Sequence, residues 1–281
     1  MLTNEMVKSL EEFVYAKPRS IQEIAKHIDK NWRTADRYVD QIEKEYGTVS
    51  TRTFRGGTRG ALKIVYWSSI EKVSRSIFQE ELEKELMLRR RKEEFSPFNI
   101  FQYVDAAKKQ AWLSKSADEV SIGKLKELSK MLLTATKQVI FFSGNLSFIN
   151  YKDATTNIFK TLEELIKKGV SIKVICRVDL AAQANIEKML SLNRKYGREL
   201  IEIRHREQPL RATIIDKNVL NMKEVILPTG RKGEFDSTTF VFYNISDKEW
   251  IEWLTKIFFK MFSVSIDSNR RLEELKYLKF S

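Results

Sequence analysis

The sequence predicts a mixed α and β chain in two parts: a small helical module closed by a hairpin, then, beyond a helical connector, a larger α/β domain with a mixed sheet. Three observations predict it. Apolar residues recur at helical spacing up to Tyr46 and then give way to two β-rich runs around a glycine cluster. A charge-dense segment follows. From Val139 onward, short apolar runs alternate with amphipathic stretches, the pattern of strands interleaved with helices. With 281 residues, 42% apolar and 11% aromatic, the chain is large and apolar enough to fold as two such units.

Met6, Leu10, Phe13 and Val14 form one helical face, and Lys17-Pro18 stops the helix because the residue before proline is disfavoured in the α region. Ser20 and Glu23 stand at the capping-box offset of a second, short helix with Ile21, Ile24, Ala25 and Ile28 as its buried stripe. After the turn Asp29-Lys30-Asn31, Asn31 caps a third helix, Trp32 to Tyr46, and Gly47 ends it. Two short helices across a three-residue turn make a helix-turn-helix. Thr48–Arg55 and Ala61–Trp67 read as strands around Gly56-Gly57-Thr58-Arg59-Gly60, a hairpin with no acidic residue from Val49 to Trp67.

A winged helix-turn-helix of this kind reads double-stranded DNA. The N-terminal end of the third helix offers Asn31, Trp32, Arg33, Thr34 and Arg37 to base edges, and the hairpin offers Arg52, Arg55, Thr58, Arg59 and Lys63 to phosphates. The bland alternative is a solvated helix face. The order of three helices and a basic wing resembles the winged-helix regulators of archaea and bacteria.

The net charge of +12 favours polyanionic partners, nucleic acid first and anionic membrane surfaces second. Two histidines, His27 and His205, and one cysteine, Cys176, exclude a structural zinc site, and neither metal nor cofactor is expected. Cys176 lies in an apolar run and reads as a buried thiol; no intrachain disulfide is possible, which fits a reducing compartment. The first 18 residues carry Glu5, Glu11 and Glu12 and read as neither signal peptide nor membrane span, so a cytoplasmic location is expected.

The expected division is residues 1–67 for the DNA-binding module, 68–136 for the connector, 137–262 for the α/β domain and 263–281 for a tail. Ser69 to Glu94 reads as one long helix with a stripe of Ile70, Val73, Ile77, Leu82 and Leu86, a candidate for pairing with its own copy in a homodimer. Its run Arg89-Arg90-Arg91-Lys92 is either solvated or set against a DNA backbone. Ser96-Pro97 breaks the helix, and Asn99–Trp112 and Ile122–Thr136 read as further helix. Strands are expected at Val139–Phe142, Val170–Arg177, Glu199–Arg204, Leu210–Asp216, Glu224–Leu227 and Thr238–Tyr243. Helices are expected at Asn157–Lys168, Ala182–Tyr196 and Asp247–Phe262.

The stretch Ile203 to Asp216, following the unit that opens with Phe141-Phe142-Ser143-Gly144-Asn145, resembles the phospholipase D-like domain of TrmB-like archaeal transcriptional regulators over about Lys137 to Phe262. Active members of that superfamily carry H-x-K-x4-D. Aligned on Asp216, this chain has Arg211 at the lysine position and Pro209 at the histidine position, and proline cannot attack phosphorus. His205 does not rescue the motif, because Glu207 follows it at the lysine spacing.

The resemblance therefore implies a non-catalytic domain for effector sensing or dimerisation. Ser143, Asn145, His205, Arg211 and Asp216 are candidates for binding a small anionic or polyhydroxylated effector, with a structural ion pair as the alternative for the last two. Two other readings stay open. One is a phospholipase D-like nuclease or phosphodiesterase targeted by the winged helix; the other is a module that binds protein rather than DNA.

Overall fold

The computed structural model describes residues 2–45, 48–55, 61–67, 75–115, 119–228 and 235–278. The amino-terminal module is built from α1 (Asn4–Ala16), the two-residue strand β1 (Arg19–Ser20), α2 (Ile21–His27), α3 (Trp32–Glu45), β2 (Val49–Arg55) and β3 (Ala61–Trp67). Each helix start has a side-chain cap, as orphan backbone N–H groups require. Thr3 caps α1; Ser20 and Glu23 form the full capping box of α2; and Asn31 Oδ1 accepts from Thr34 N at 2.9 Å to open α3. The three strands order as β1-β3-β2, and Leu10, Val14, Ile24, Tyr38, Val39, Ile42, Val49 and Val65 fill the core between helices and sheet.

The hairpin's opposite face is also covered. Phe54 is buried in the core of the larger domain, edge-on to Phe98 and Tyr243, and Leu62, Ile64 and Tyr66 pack against the same core. The module is therefore seated on the domain through its wing.

In the expected connector, α4 (Arg75–Leu88) buries Leu82 and Leu86 and packs on α9 (Lys248–Ser263). Its stripe thus has a partner within the chain at these two positions, while Ile77 is exposed. Ile70 and Val73 lie outside the described residues. The expected helix over Asn99–Trp112 is not formed. Instead, α5 (Phe98–Phe101) is a single turn, and β4 (Lys109–Lys115) is a full edge strand whose register runs from Thr239↔Lys115 to Ile245↔Lys109. The physical reason is alternation: Ala111 and Leu113 face the core while Trp112 faces the other way, a period of two hidden in a run too short to separate from helix.

The remaining elements are α6 (Glu119–Leu133), β5 (Gln138–Phe142), α7 (Ile158–Lys167), β6 (Ser171–Cys176), α8 (Gln183–Tyr196), β7 (Ile201–His205), β8 (Ala212–Ile215), β9 (Val219–Ile226), β10 (Thr239–Ile245), β11 (Ile266–Asp267) and α10 (Ser268–Leu278). Gly169 and Gly197 follow α7 and α8 at φ +82 and +58, a conformation that stops a helix at little cost only for glycine. The eight strands order as β11-β7-β6-β5-β8-β9-β10-β4; β5, β6 and β7 are parallel and the rest antiparallel. The sheet is mixed, as expected. The segment expected as a tail carries β11 and α10 instead, and Leu272 and Leu275 join the core beside α7 and α8.

Two cores flank the sheet. One lies between the sheet, α9 and the wing; the other lies between β5–β7 and the helices α6, α7, α8 and α10. Among the described residues no helix is long and apolar enough to cross a membrane.

Candidate functional site

The N-terminal end of α3 presents the side chains expected to read DNA. Trp32 is 43% exposed, Arg33 and Arg37 are exposed, and Thr34 is half-buried. Arg33 leans on the Trp32 ring at 5.5 Å and Arg37 on Tyr38 at 5.5 Å, so each guanidinium is steadied by an aromatic face. Among the described residues neither arginine is bridged to a carboxylate. Asn31 spends its side-chain oxygen on the helix cap.

The wing behaves otherwise, and two expected phosphate contacts are committed elsewhere. Lys63 is 19% exposed and bonds Asp36 at 2.7 Å and Asp40 at 2.5 Å, both on α3. Burial pulls its pKa down, but the two carboxylates more than offset this and hold the ammonium above its ordinary value. Arg52 points toward the larger domain, with its guanidinium 4.8 Å from the Phe101 ring and 5.6 Å from Phe54. The reason is the hairpin's geometry: alternate residues on a strand face opposite ways, and both faces of this hairpin are covered. Thr58, Arg59 and the side chain of Arg55 lie outside the described residues.

Charge arithmetic missed what these residues do instead. Asp36 and Asp40 to Lys63, with Glu43 accepting from Thr51 N and Oγ1 at 3.0 Å, clamp α3 to the hairpin and fix the angle of its reading end.

The second candidate region is a cleft of about 1230 Å³ at the ends of β5 and β8 and over one face of β8, β9, β10 and β4. Its lining carries eight basic side chains, Arg90, Arg91, Lys92, Lys130, Arg177, Arg206, Arg211 and Lys223, against three carboxylates, Glu93, Glu127 and Glu207. That excess gives the cleft a positive potential sharpened by its low-dielectric walls. Lys92, read from sequence as part of a basic run either solvated or set against a DNA backbone, is inserted into the domain. Its Nζ donates to the carbonyls of Ser143 (3.3 Å), Gln208 (2.7 Å) and Leu210 (2.5 Å). Burial, with Arg211 nearby, lowers its pKa to about 7.

Three of the five expected effector residues line this cleft. Ser143 and Asn145 form its floor at the end of β5, where their side chains brace the turn: Ser143 Oγ accepts from Leu146 N and Asn145 Oδ1 from Ser147 N. Arg211 enters β8 half-buried, 4.0 Å from Glu93. Asp216 is not among them. It lies at the opposite end of β8, at φ +47, and accepts from Thr136 N, Thr136 Oγ1, Lys137 N and Gln138 N at 2.7–2.9 Å. Burial would raise its pKa, but these donors outweigh it and hold the carboxyl below its ordinary value. Arg211 and Asp216 flank the four-residue strand β8 at its opposite ends, and they form no ion pair.

His205 is also elsewhere. It ends β7, half-buried, and its Nδ1 accepts from Val178 N at 2.8 Å; burial, with Arg271 nearby, lowers its pKa. Cys176 is fully buried, and burial pushes its thiol up to about 12, so it is an inert core residue.

No model of a known protein family matches the chain, and no curated protein matches it. Among solved structures it is similar to the phospholipase D family member Nuc from Salmonella typhimurium, at 11% identity over 57% of this chain and 98% of that one, TM-score 0.41. It is similar to the archaeal chromatin protein TrmBL2, which shows a novel mode of DNA binding, at 14% identity over 94% of each chain, TM-score 0.38. It is also similar to NucT from Helicobacter pylori, at 12% identity over 57% and 99%, TM-score 0.39. Likenesses of this size assign no residue a role.

Proposed function

We propose that the chain is a double-stranded DNA-binding transcriptional regulator that reads its operator with the N-terminal end of α3, acts as a homodimer in the cytoplasm, and carries a non-catalytic ligand-binding domain. One observation carries the DNA reading: Arg33 and Arg37 stand exposed and unbridged to any described carboxylate on the first turns of a helix whose angle is fixed by its own hairpin. Guanidinium groups so placed suit guanine edges and phosphates. The displaced Arg52 and Lys63 narrow the reading: base contacts by α3 supply a larger share of the affinity than an all-basic wing would give.

The non-catalytic reading is supported by Pro209 where a nucleophilic histidine would stand, and by Lys92 occupying the carbonyls on either side of it.

Operator sites are mapped with the purified full chain on fragmented genomic DNA, and affinity is then read by fluorescence anisotropy. Arg33→Ala and Arg37→Ala should each cost about 1–3 kcal/mol on the operator and relax sequence preference. Unchanged binding by the double variant would remove α3 from the interface and favour a protein partner for this face. Cleavage of labelled plasmid by wild type that is lost in Arg211→Ala would overturn the non-catalytic assignment.

A further inference from the structure

The turn that ends β5 has its acceptors taken and its donors free. Every carbonyl in it already accepts: Ser143 O from Lys92 Nζ at 3.3 Å and Gln208 Nε2 at 2.9 Å, Gly144 O from Arg177 N at 2.8 Å, and Asn145 O from Asn185 Nδ2 at 2.9 Å. Its side-chain oxygens are engaged as well, Ser143 Oγ with Leu146 N and Asn145 Oδ1 with Ser147 N. Gly144 N and Asn145 N, by contrast, donate to no acceptor among the described residues. Both residues line the cleft half-buried, and no atom lies within 4 Å of where a Cβ on Gly144 would stand, so a ligand can approach the backbone closely.

The turn is also strained. Leu146, fully buried, sits at φ +59, a left-handed conformation unfavourable for any residue with a Cβ. Backbone in such a state is kept there by its surroundings, and here it ends a parallel strand, where loops meet ligands in open α/β sheets.

Four guanidinium groups line the same cleft with little to neutralise them. Arg90 and Arg91 are exposed, and no described carboxylate bridges either; Glu94 instead accepts from their backbone N–H groups at 2.9 and 3.1 Å and fixes the segment that carries them. Arg206 is half-buried and gives one N–H to Met87 O at 3.2 Å. Arg211 is 4.0 Å from Glu93, a carboxylate 73% exposed. Lys92 draws the set together, because its ammonium joins Ser143 O to Leu210 O: Arg91 precedes it and Arg211 follows Leu210. Arg206 N bonds Cys176 O, next to the Arg177 N that bonds the turn. Burial, with Arg90 nearby, lowers the pKa of Arg206, so these charges are close enough to repel.

The three carboxylates of the lining are all exposed and leave the positive excess in place. A neutral polyol brings hydroxyl hydrogens that need acceptors, and those of the turn are engaged; an anion brings acceptors alone. A single negative charge would leave most of the excess uncompensated.

We infer that this cleft binds a small oxyanion carrying two or more charges, a phosphoryl or polycarboxylate group, through Arg90, Arg91, Arg206 and Arg211 and the main-chain N–H groups of Gly144 and Asn145. The assignment rests on the reading of the larger domain as ligand-binding and names the ligand class; it is independent of whether α3 binds DNA.

Inorganic diphosphate, citrate, acetate and sucrose are each titrated into the full chain, without DNA, by isothermal titration calorimetry at about 0.15 M salt, where diffuse attraction is screened. Diphosphate or citrate should bind, and acetate and sucrose should give no heat; the tighter of the first two tells a phosphoryl ligand from a carboxylate one. Arg91→Gln and Arg211→Gln should each weaken that anion about tenfold, the loss of one charge-assisted hydrogen bond. Arg194→Gln, at an exposed position of α8 outside the cleft, should leave it unchanged. Far-UV circular dichroism checks each variant.

Heat from sucrose with both polyanions silent would overturn the anion assignment and leave a ligand-binding domain standing; silence from all four at millimolar concentration would remove both. Acetate binding as tightly as either polyanion, or an equal loss in Arg194→Gln, would reduce the effect to bulk charge and overturn the proposal. So would undiminished binding by both cleft variants. Operator binding measured in parallel separates failure here from failure of the DNA reading.

Discussion

The sheet has two halves, and they solve opposite problems. β5, β6 and β7 are parallel, and β5 and the end of β6 are apolar on both faces: Val139 to Phe142 are all buried, as are Val174, Ile175 and Cys176. In β9 and β10 only one face is closed, and the other carries Asn221, Lys223, Phe240 and Phe242. The parallel strands are covered on one face by the crossover helices α7 and α8 and on the other by α9, whereas an antiparallel strand needs only one covered face. The difference teaches where to look for function: the doubly covered strands lie in the parallel half, and the cleft proposed to bind a ligand lies over the open face of the antiparallel half.

The largest effect expected from breaking that contrast is Ile172→Ala in the doubly covered half, which should cost about 2–5 kcal/mol of unfolding free energy through the cavity it leaves. Urea denaturation of the purified protein measures it. Phe242→Leu on the open face should cost well under half as much; equal losses would erase the distinction between the halves.

The seam between them, β5 against β8, is held at both ends by one charged residue. At the top is Lys92. Its pKa is about 7 in the fold against 10.5 for a free lysine, so between those values the unfolded chain binds a proton that the folded chain does not. Stability therefore rises with pH from about 7 toward 10.5, and the cost of burying the charge is paid in full below 7. Thermal unfolding should occur a few degrees higher at pH 9 than at pH 6.5, and Lys92→Met should shrink that difference.

The bottom of the seam is Asp216. Asp216→Ala removes the acceptor of four hydrogen bonds, but its partners are near solvent, so about 1–2 kcal/mol is expected, again by urea denaturation. Ligand binding in the cleft should be unchanged, since the residue lies at the far end of β8. A loss of ligand binding without loss of stability would return Asp216 to the site.

Much of this was legible in residue order, where the signal is local. The capping box Ser20/Glu23, the Asn31 cap and the apolar stripes of α2 and α3 depend on neighbours three and four positions apart, and those neighbours are in the string. The runs Val139–Phe142 and Val170–Arg177 are likewise local in kind. What was not legible depends on partners far away. Lys92 meets the Gln208 carbonyl 116 positions later, Asp216 meets Thr136 80 positions earlier, and β4 is recognisable only once β10 lies beside it. Composition also misleads over charge. Lys63 and Arg52 look like phosphate ligands until the carboxylates of α3 and the ring of Phe101 are placed against them.

The wing's seat on the larger domain has a practical corollary. A fragment ending at Trp67 would lose the cover over Phe54, Leu62, Ile64 and Tyr66 and carry a greasy ribbon into water. Such a truncated head is a poor reagent, prone to self-association. The two parts are best regarded as one cooperative folding unit whose reading end inherits its rigidity from the body beneath it.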